Sequence, residues 1–125
     1  MPPRPAWEAG RPEALDTRRA EIRSPRAGRI AYYADEGPAG HPLVLLHSIN
    51  AAPSAFEMRP LFDHYRGRRP VFAPELPGYG HSERSRRPYS PELYAGAIEN
   101  FMTTVVKGPA DVVAFSLSAE FAAAD

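Results

Sequence analysis

The chain has no cysteine, which excludes disulfide staples, zinc–thiolate centres and thiol nucleophiles. No apolar run approaches the roughly 18 residues that span a bilayer, and the first residues lack the apolar stretch of a secretory signal. A cytoplasmic protein with no membrane partner is therefore expected. Charge of one sign is also missing. Fifteen basic and fifteen acidic side chains cancel, so no global field steers the protein toward nucleic acid, and the expected partner is a small-molecule substrate. The length of 125 residues fits one small domain but is short for an α/β enzyme, many of which need about 200 or more. Oligomeric state leaves no mark on the sequence.

Proline is plentiful, with fifteen residues, and Pro25, Pro38, Pro42, Pro53, Pro70, Pro77, Pro88 and Pro109 fall where element boundaries would. Residues 1–17 hold Pro2, Pro3, Pro5, Pro12 and the lone Trp7 without sustained periodicity, and read as a flexible N-terminal arm. Residues 18–125 form the domain. Arg18–Arg23 and Gly28–Ala34 read as an antiparallel pair across the turn Ser24-Pro25-Arg26-Ala27. Leu43–His47 and Val71–Pro74 are apolar without alternation, as in strands covered on both faces. Between them, Ser54 and Glu57 match a capping box, and Pro60 suits the first turn of a helix running to about Tyr65.

The segment Glu75–Ser82 is too rich in glycine and proline to be regular. Ser90-Pro91-Glu92 then opens a helix: serine as N-cap, proline at the first position, an acid where the dipole favours it. Leu93, Tyr94, Ala97, Ile98, Phe101, Met102 and Val105 recur on one face of that helix, which reads as core, and Lys107, Gly108 and Pro109 end it. Val112–Phe115 reads as another buried strand, and the alanine-rich stretch after Ser118 as the start of a helix. The alternation implies an α/β fold: a mostly parallel sheet with flanking helices and an N-terminal antiparallel hairpin. Ligands bind such sheets at the carboxyl ends of the strands. Three loops lie there: residues 47–50, residues 75–82 and the turn at Ser116.

A serine on a sharp strand-to-helix turn has its hydroxyl pushed out at the end of the sheet, with the amides of the new helix facing the same space. Ser116 occupies that position, flanked by small residues at Ala114 and Ser118. Centring the pattern on Ser118 would bring Glu120 to a position that needs a small side chain. The plainer alternative is that Ser116 is the N-cap of an ordinary helix.

With these motifs in order, residues 20–125 resemble the N-terminal half of an α/β-hydrolase-fold enzyme. Leu43-Val44-Leu45-Leu46-His47-Ser48 is similar to the family's apolar strand ending in His-Gly. Glu75-Leu76-Pro77-Gly78-Tyr79-Gly80-His81-Ser82 is similar to its Asp-x-Pro-Gly-x-Gly-x-Ser loop, and Ala114-Phe115-Ser116-Leu117-Ser118 to its nucleophile elbow. The resemblance implies a serine hydrolase of a carboxylic ester or related acyl compound, working through an acyl-enzyme, with no cofactor and no metal. It makes Ser116 the nucleophile and assigns the oxyanion hole to the backbone N–H of Leu117 and of Ser48 or Ile49. Carbon–carbon bond hydrolysis and cofactor-free haloperoxidation also fit a serine, whereas dehalogenases and epoxide hydrolases place aspartate at the elbow.

Three positions depart from the family pattern. Ser48 and Ser118 stand where glycine is usual, and Glu75 replaces aspartate, a change read as structural. The triad acid and histidine of the family come from later loops, and none of His41, His47, His64 and His81 is expected to serve as base. His47 is expected to pack behind the oxyanion loop. The chain is accordingly expected to be the N-terminal part of a longer hydrolase, inactive alone. The competing expectations are a non-catalytic relative that binds a small ligand in the same pocket, and a non-functional gene fragment.

Overall fold

The computed structural model describes residue 15 and residues 17–25, 27–48, 55–82, 84 and 90–114. The chain opens with the hairpin that its turn residues predict. Strand β1 (Arg19–Ser24) pairs antiparallel with β2 (Gly28–Asp35), from Arg19 opposite Tyr33 to Ser24 opposite Gly28. Strand β3 (Leu43–Leu46) leads to a 3-10 turn at Ala55–Met58, helix α1 (Arg59–Tyr65) and β4 (Val71–Pro74). Helix α2 (Pro91–Phe101) and β5 (Asp111–Ala114) follow. The strands lie in the order β1-β2-β4-β3-β5, with β3 parallel to both β4 and β5 and β2 antiparallel to β4.

Side-chain alternation along the inner strands separates two apolar layers. Leu43, Leu45, Val71 and Ala73 face one side and pack with Met58 and Phe62 of the first helical segment. Val44, Leu46 and Phe72 face the other and pack with Tyr94, Ile98 and Phe101 of α2. Covering both faces is why these strands carry no polar alternation. All four residues of β3 and all four of β4 are buried.

Helix α2 starts as its first residues dictate: the Ser90 hydroxyl accepts from the Leu93 amide at 3.1 Å, and Pro91 stands in the first turn, where no N–H is required. Its face of Leu93, Tyr94, Ala97, Ile98 and Phe101 is buried. The last stretch, Met102–Val106, widens to π-type hydrogen bonding and closes at Lys107, whose φ of 61° lies in the left-handed region. The stop therefore falls on the lysine, one residue before the glycine.

One expectation needs correcting. Strand β5 is not buried: Val112 is 43% exposed and Val113 and Ala114 are half-buried. Its apolar composition suits a central strand, but β3 is its only neighbour in the described sheet, so its other edge and part of its faces stay open. Most of residues 1–17, read from the sequence as an arm, lie outside the described residues; of the two that are described, Leu15 is buried in the cluster with Tyr33 and Leu43, and the Thr17 hydroxyl donates to the Ala34 carbonyl at 3.2 Å. Among the described residues no helix is long and apolar enough to cross a membrane.

Candidate functional site

Parallel pairing puts the carboxyl ends of β3, β4 and β5 at one edge of the sheet, and short polar ties hold His47 and Ser48 after β3 and residues 75–82 after β4. His47 follows β3 directly and is fully buried. Its Nε2 accepts from the Leu76 amide at 3.0 Å, so the proton sits on Nδ1, which donates to the Ser48 carbonyl at 2.7 Å. Burial holds the ring below its ordinary pKa, against smaller raising effects of the Ser48 hydrogen bond and Glu57. Tyr79 meets the ring edge-on at 5.1 Å. A neutral imidazole with both nitrogens committed joins the loop after β3 to the loop after β4. It is a strut behind the site, as expected from the sequence, and not a free base.

Glu75, the first residue after β4, is also fully buried. Its carboxyl accepts from the His81 amide at 2.9 Å and from the Ala55 amide at 3.3 Å, closing its own loop and tying it to the 3-10 turn. Burial raises its pKa, and the two amides and nearby positive charges oppose this only in part. Ser82 completes the loop. Its hydroxyl donates to the Glu75 carbonyl and accepts from the Ala31 amide at 2.9 Å, which anchors the loop to β2. The glutamate that replaces aspartate thus serves as a crosslink, consistent with a structural role.

Ser48 is buried, and its amide and hydroxyl both donate to one carboxylate. The amide reaches Glu57 Oε1 at 2.6 Å and the hydroxyl reaches Oε2 at 2.8 Å. The capping box predicted Glu57 to turn toward Ser54, a residue outside those described; in the structure both its oxygens accept from Ser48. Sequence reasoning did not pair these two residues. The available signal was a serine at a glycine position followed by an acid on the next helical segment.

Of the residues assigned to the site, Ser48 is placed as above, while Ile49, Ser116 and Leu117 lie outside the described residues. His41 and His64 are exposed, and His81 is buried. Among the described residues, no group of three or more His, Cys, Asp or Glu could hold a metal ion. A groove of about 270 Å³ lined by Ser24, Pro25, Gly96, Glu99, Asn100 and Thr103 shares no residue with the ties above.

Comparison with known proteins agrees with this architecture. The model of the alpha/beta hydrolase family matches residues 43–124. No curated protein matches the chain. Among solved structures, it is similar to the enol-lactonase of Burkholderia xenovorans LB400, with a TM-score of 0.71 and 21% identity over 84% of this chain and 40% of that one. It is likewise similar to an epoxide hydrolase from Vigna radiata, with a TM-score of 0.71 and 18% identity over 83% of this chain and 33% of that one. For an N-acyl homoserine lactonase the TM-score is 0.65 and the identity 31%, over 76% of this chain and 35% of that one. The chain therefore spans at most 40% of the length of these structures. From the family match over residues 43–124, we conclude that the chain belongs to the alpha/beta hydrolase family.

Proposed function

We propose that the protein is a serine hydrolase acting on a carboxylic ester or related acyl substrate, with Ser116 as nucleophile. The observation that carries this reading is the register between β3 and β5. Leu46 pairs with Ala114, and Ser48 and Ser116 each follow two residues later in the sequence, after neighbouring parallel strands. A nucleophile on one turn and an oxyanion donor on the other need that neighbourhood. The similarity to two lactonases favours an acyl substrate, because a lactone is an internal ester.

In this reading the Ser116 hydroxyl attacks the acyl carbonyl and passes its proton to a general base, which delivers it to the alcohol as the ester C–O bond breaks. The base then takes a proton from water, which attacks the acyl-enzyme, and returns it to Ser116 as the acid leaves. The Leu117 amide and one amide of the loop after His47 hold the carbonyl oxygen as it becomes negative. Because the Ser48 amide is already donated to Glu57, we assign that second donor to Ile49, with Ser48 behind it. We place the base and its acid partner in the part of the fold C-terminal to the elbow. A fluorophosphonate probe tests the reading on the full-length protein: it should label wild type and spare Ser116→Ala. Labelling that survives the substitution, or ligand binding by a wild type that is never labelled, would overturn it.

A further inference from the structure

We propose that Glu57 is a positioning residue for the hydrolase site: it locks the loop after β3 through Ser48 so that the following amide is held for the reaction. This rests on the serine-hydrolase reading and deepens it.

The geometry is specific to this pair of residue types. A glycine at position 48 has only an amide to donate, whereas a serine presents amide and hydroxyl to the two oxygens of one carboxylate, here at 2.6 and 2.8 Å. Both bonds are charge-assisted, the stronger class of hydrogen bond, and two contacts to one group fix orientation as well as distance. Glu57 itself is exposed, while Ser48 is only 3% exposed. The carboxylate therefore reaches inward from a surface position to a buried loop residue. The opposite interpretation makes Glu57 a plug occupying a substrate-facing donor. Kinetics separate the two: removing a plug raises kcat, and removing a lock lowers it.

The turn that carries Glu57 is itself fixed. Its first residue, Ala55, donates its amide to the Glu75 carboxyl, and Met58 is fully buried in the core under β3 and β4. A rigid turn thus transmits its position to the loop through one side chain. Glycine in the family pattern allows the loop its shape. In this chain, Glu57 fixes Ser48, the residue from which that loop departs.

The test uses the full-length protein and p-nitrophenyl butyrate. Glu57→Ala should lower kcat about 10- to 100-fold, the scale of a misplaced reacting group, with KM within about twofold of wild type. Glu57→Gln keeps the length and two polar atoms, and should recover most of that loss. Adding Ser48→Ala to Glu57→Ala should cost less than Ser48→Ala costs alone, because the bond between the two is already broken. Unchanged or increased kcat in Glu57→Ala would overturn the proposal, an increase identifying Glu57 as a plug. So would a lowered melting temperature at wild-type kcat, which marks a merely structural tie. If wild type neither turns over this ester nor takes the fluorophosphonate, the hydrolase reading fails first. The lock is then judged on thermal unfolding: non-additive losses for Ser48→Ala and Glu57→Ala support it, additive losses refute it. Should Glu57→Ala not fold, Ser48→Ala, which removes the hydroxyl bond to Glu57, takes its place: a lowered kcat at near wild-type KM supports the lock and an unchanged kcat overturns it.

Discussion

Replacing Gly80 with alanine tests whether the loop after β4 is held by its buried acid. Gly80 has a φ of 52°, in the left-handed region, and a Cβ built there falls directly on the Glu75 carboxyl group. The backbone conformation alone costs a non-glycine residue about 1–2 kcal/mol. The added methyl group must also evict the carboxyl from its place between the His81 and Ala55 amides. Losing two buried hydrogen bonds at about 1 kcal/mol each brings the expected destabilisation to about 3–4 kcal/mol. Gly67 provides the control: its φ is 80°, but nothing lies within 4 Å of a Cβ there, so Gly67→Ala should cost only the backbone part. Urea unfolding followed by far-UV circular dichroism measures both, the comparison being valid where the denaturant slope is unchanged. If Gly80→Ala costs no more than Gly67→Ala, Glu75 is not the keystone of the loop and its contacts carry little energy.

Two further outcomes follow from single side chains. Ser90→Ala removes the acceptor of the Leu93 amide and should lower unfolding free energy by about 1 kcal/mol, with Ser90→Asp near wild type in the same assay. His47 is held neutral with its pKa lowered by burial, so its contribution is fully present above the ordinary value of 6.5 and is lost as pH falls through the folded value. Stability measured against pH should accordingly decline on the acid side of 6.5, where the unfolded chain takes up the proton first, and His47→Gln should flatten that decline. Glu75 has the opposite sign: its raised pKa favours the protonated carboxyl, so its contribution is complete below about 4.5 and is lost as pH rises through the folded value. An acid-side slope that survives His47→Gln would assign the effect to another group.

The sequence was most legible where local chemistry and tertiary packing agree. Strand β4 spans Val71–Pro74 as its apolar run predicts, and α2 starts at the serine, proline and acid that mark a helix N-terminus. The packing of His47 was readable from the resemblance of Leu43–Ser48 to the family's strand ending in His-Gly, and in the structure both its nitrogens are bonded to backbone. Strand β5 was misread for a physical reason. Four residues of type Asp-Val-Val-Ala specify extended backbone, but burial depends on what lies beside and above them, which no local pattern encodes. The tie from Glu57 to Ser48 was not legible for a related reason. Ser48, nine residues away in sequence, is brought within 2.6 Å only when the chain turns back over the end of β3, whereas a capping box is read from neighbours three residues apart.

By itself the sequence determined the elements, their alternation and the family. Apolar runs, caps and turn residues act over a few residues, and the motifs at residues 43–48, 75–82 and 114–118 keep a fixed order. Tertiary structure alone decided the strand order, which sets β5 beside β3 and not beside β4, and hence which loops are neighbours. It also decided the ties that hold the loops: Glu57 to Ser48, Glu75 to Ala55, and Ser82 to Ala31. Each of these joins groups that only folding brings within hydrogen-bonding distance, where burial removes the water that would otherwise satisfy them.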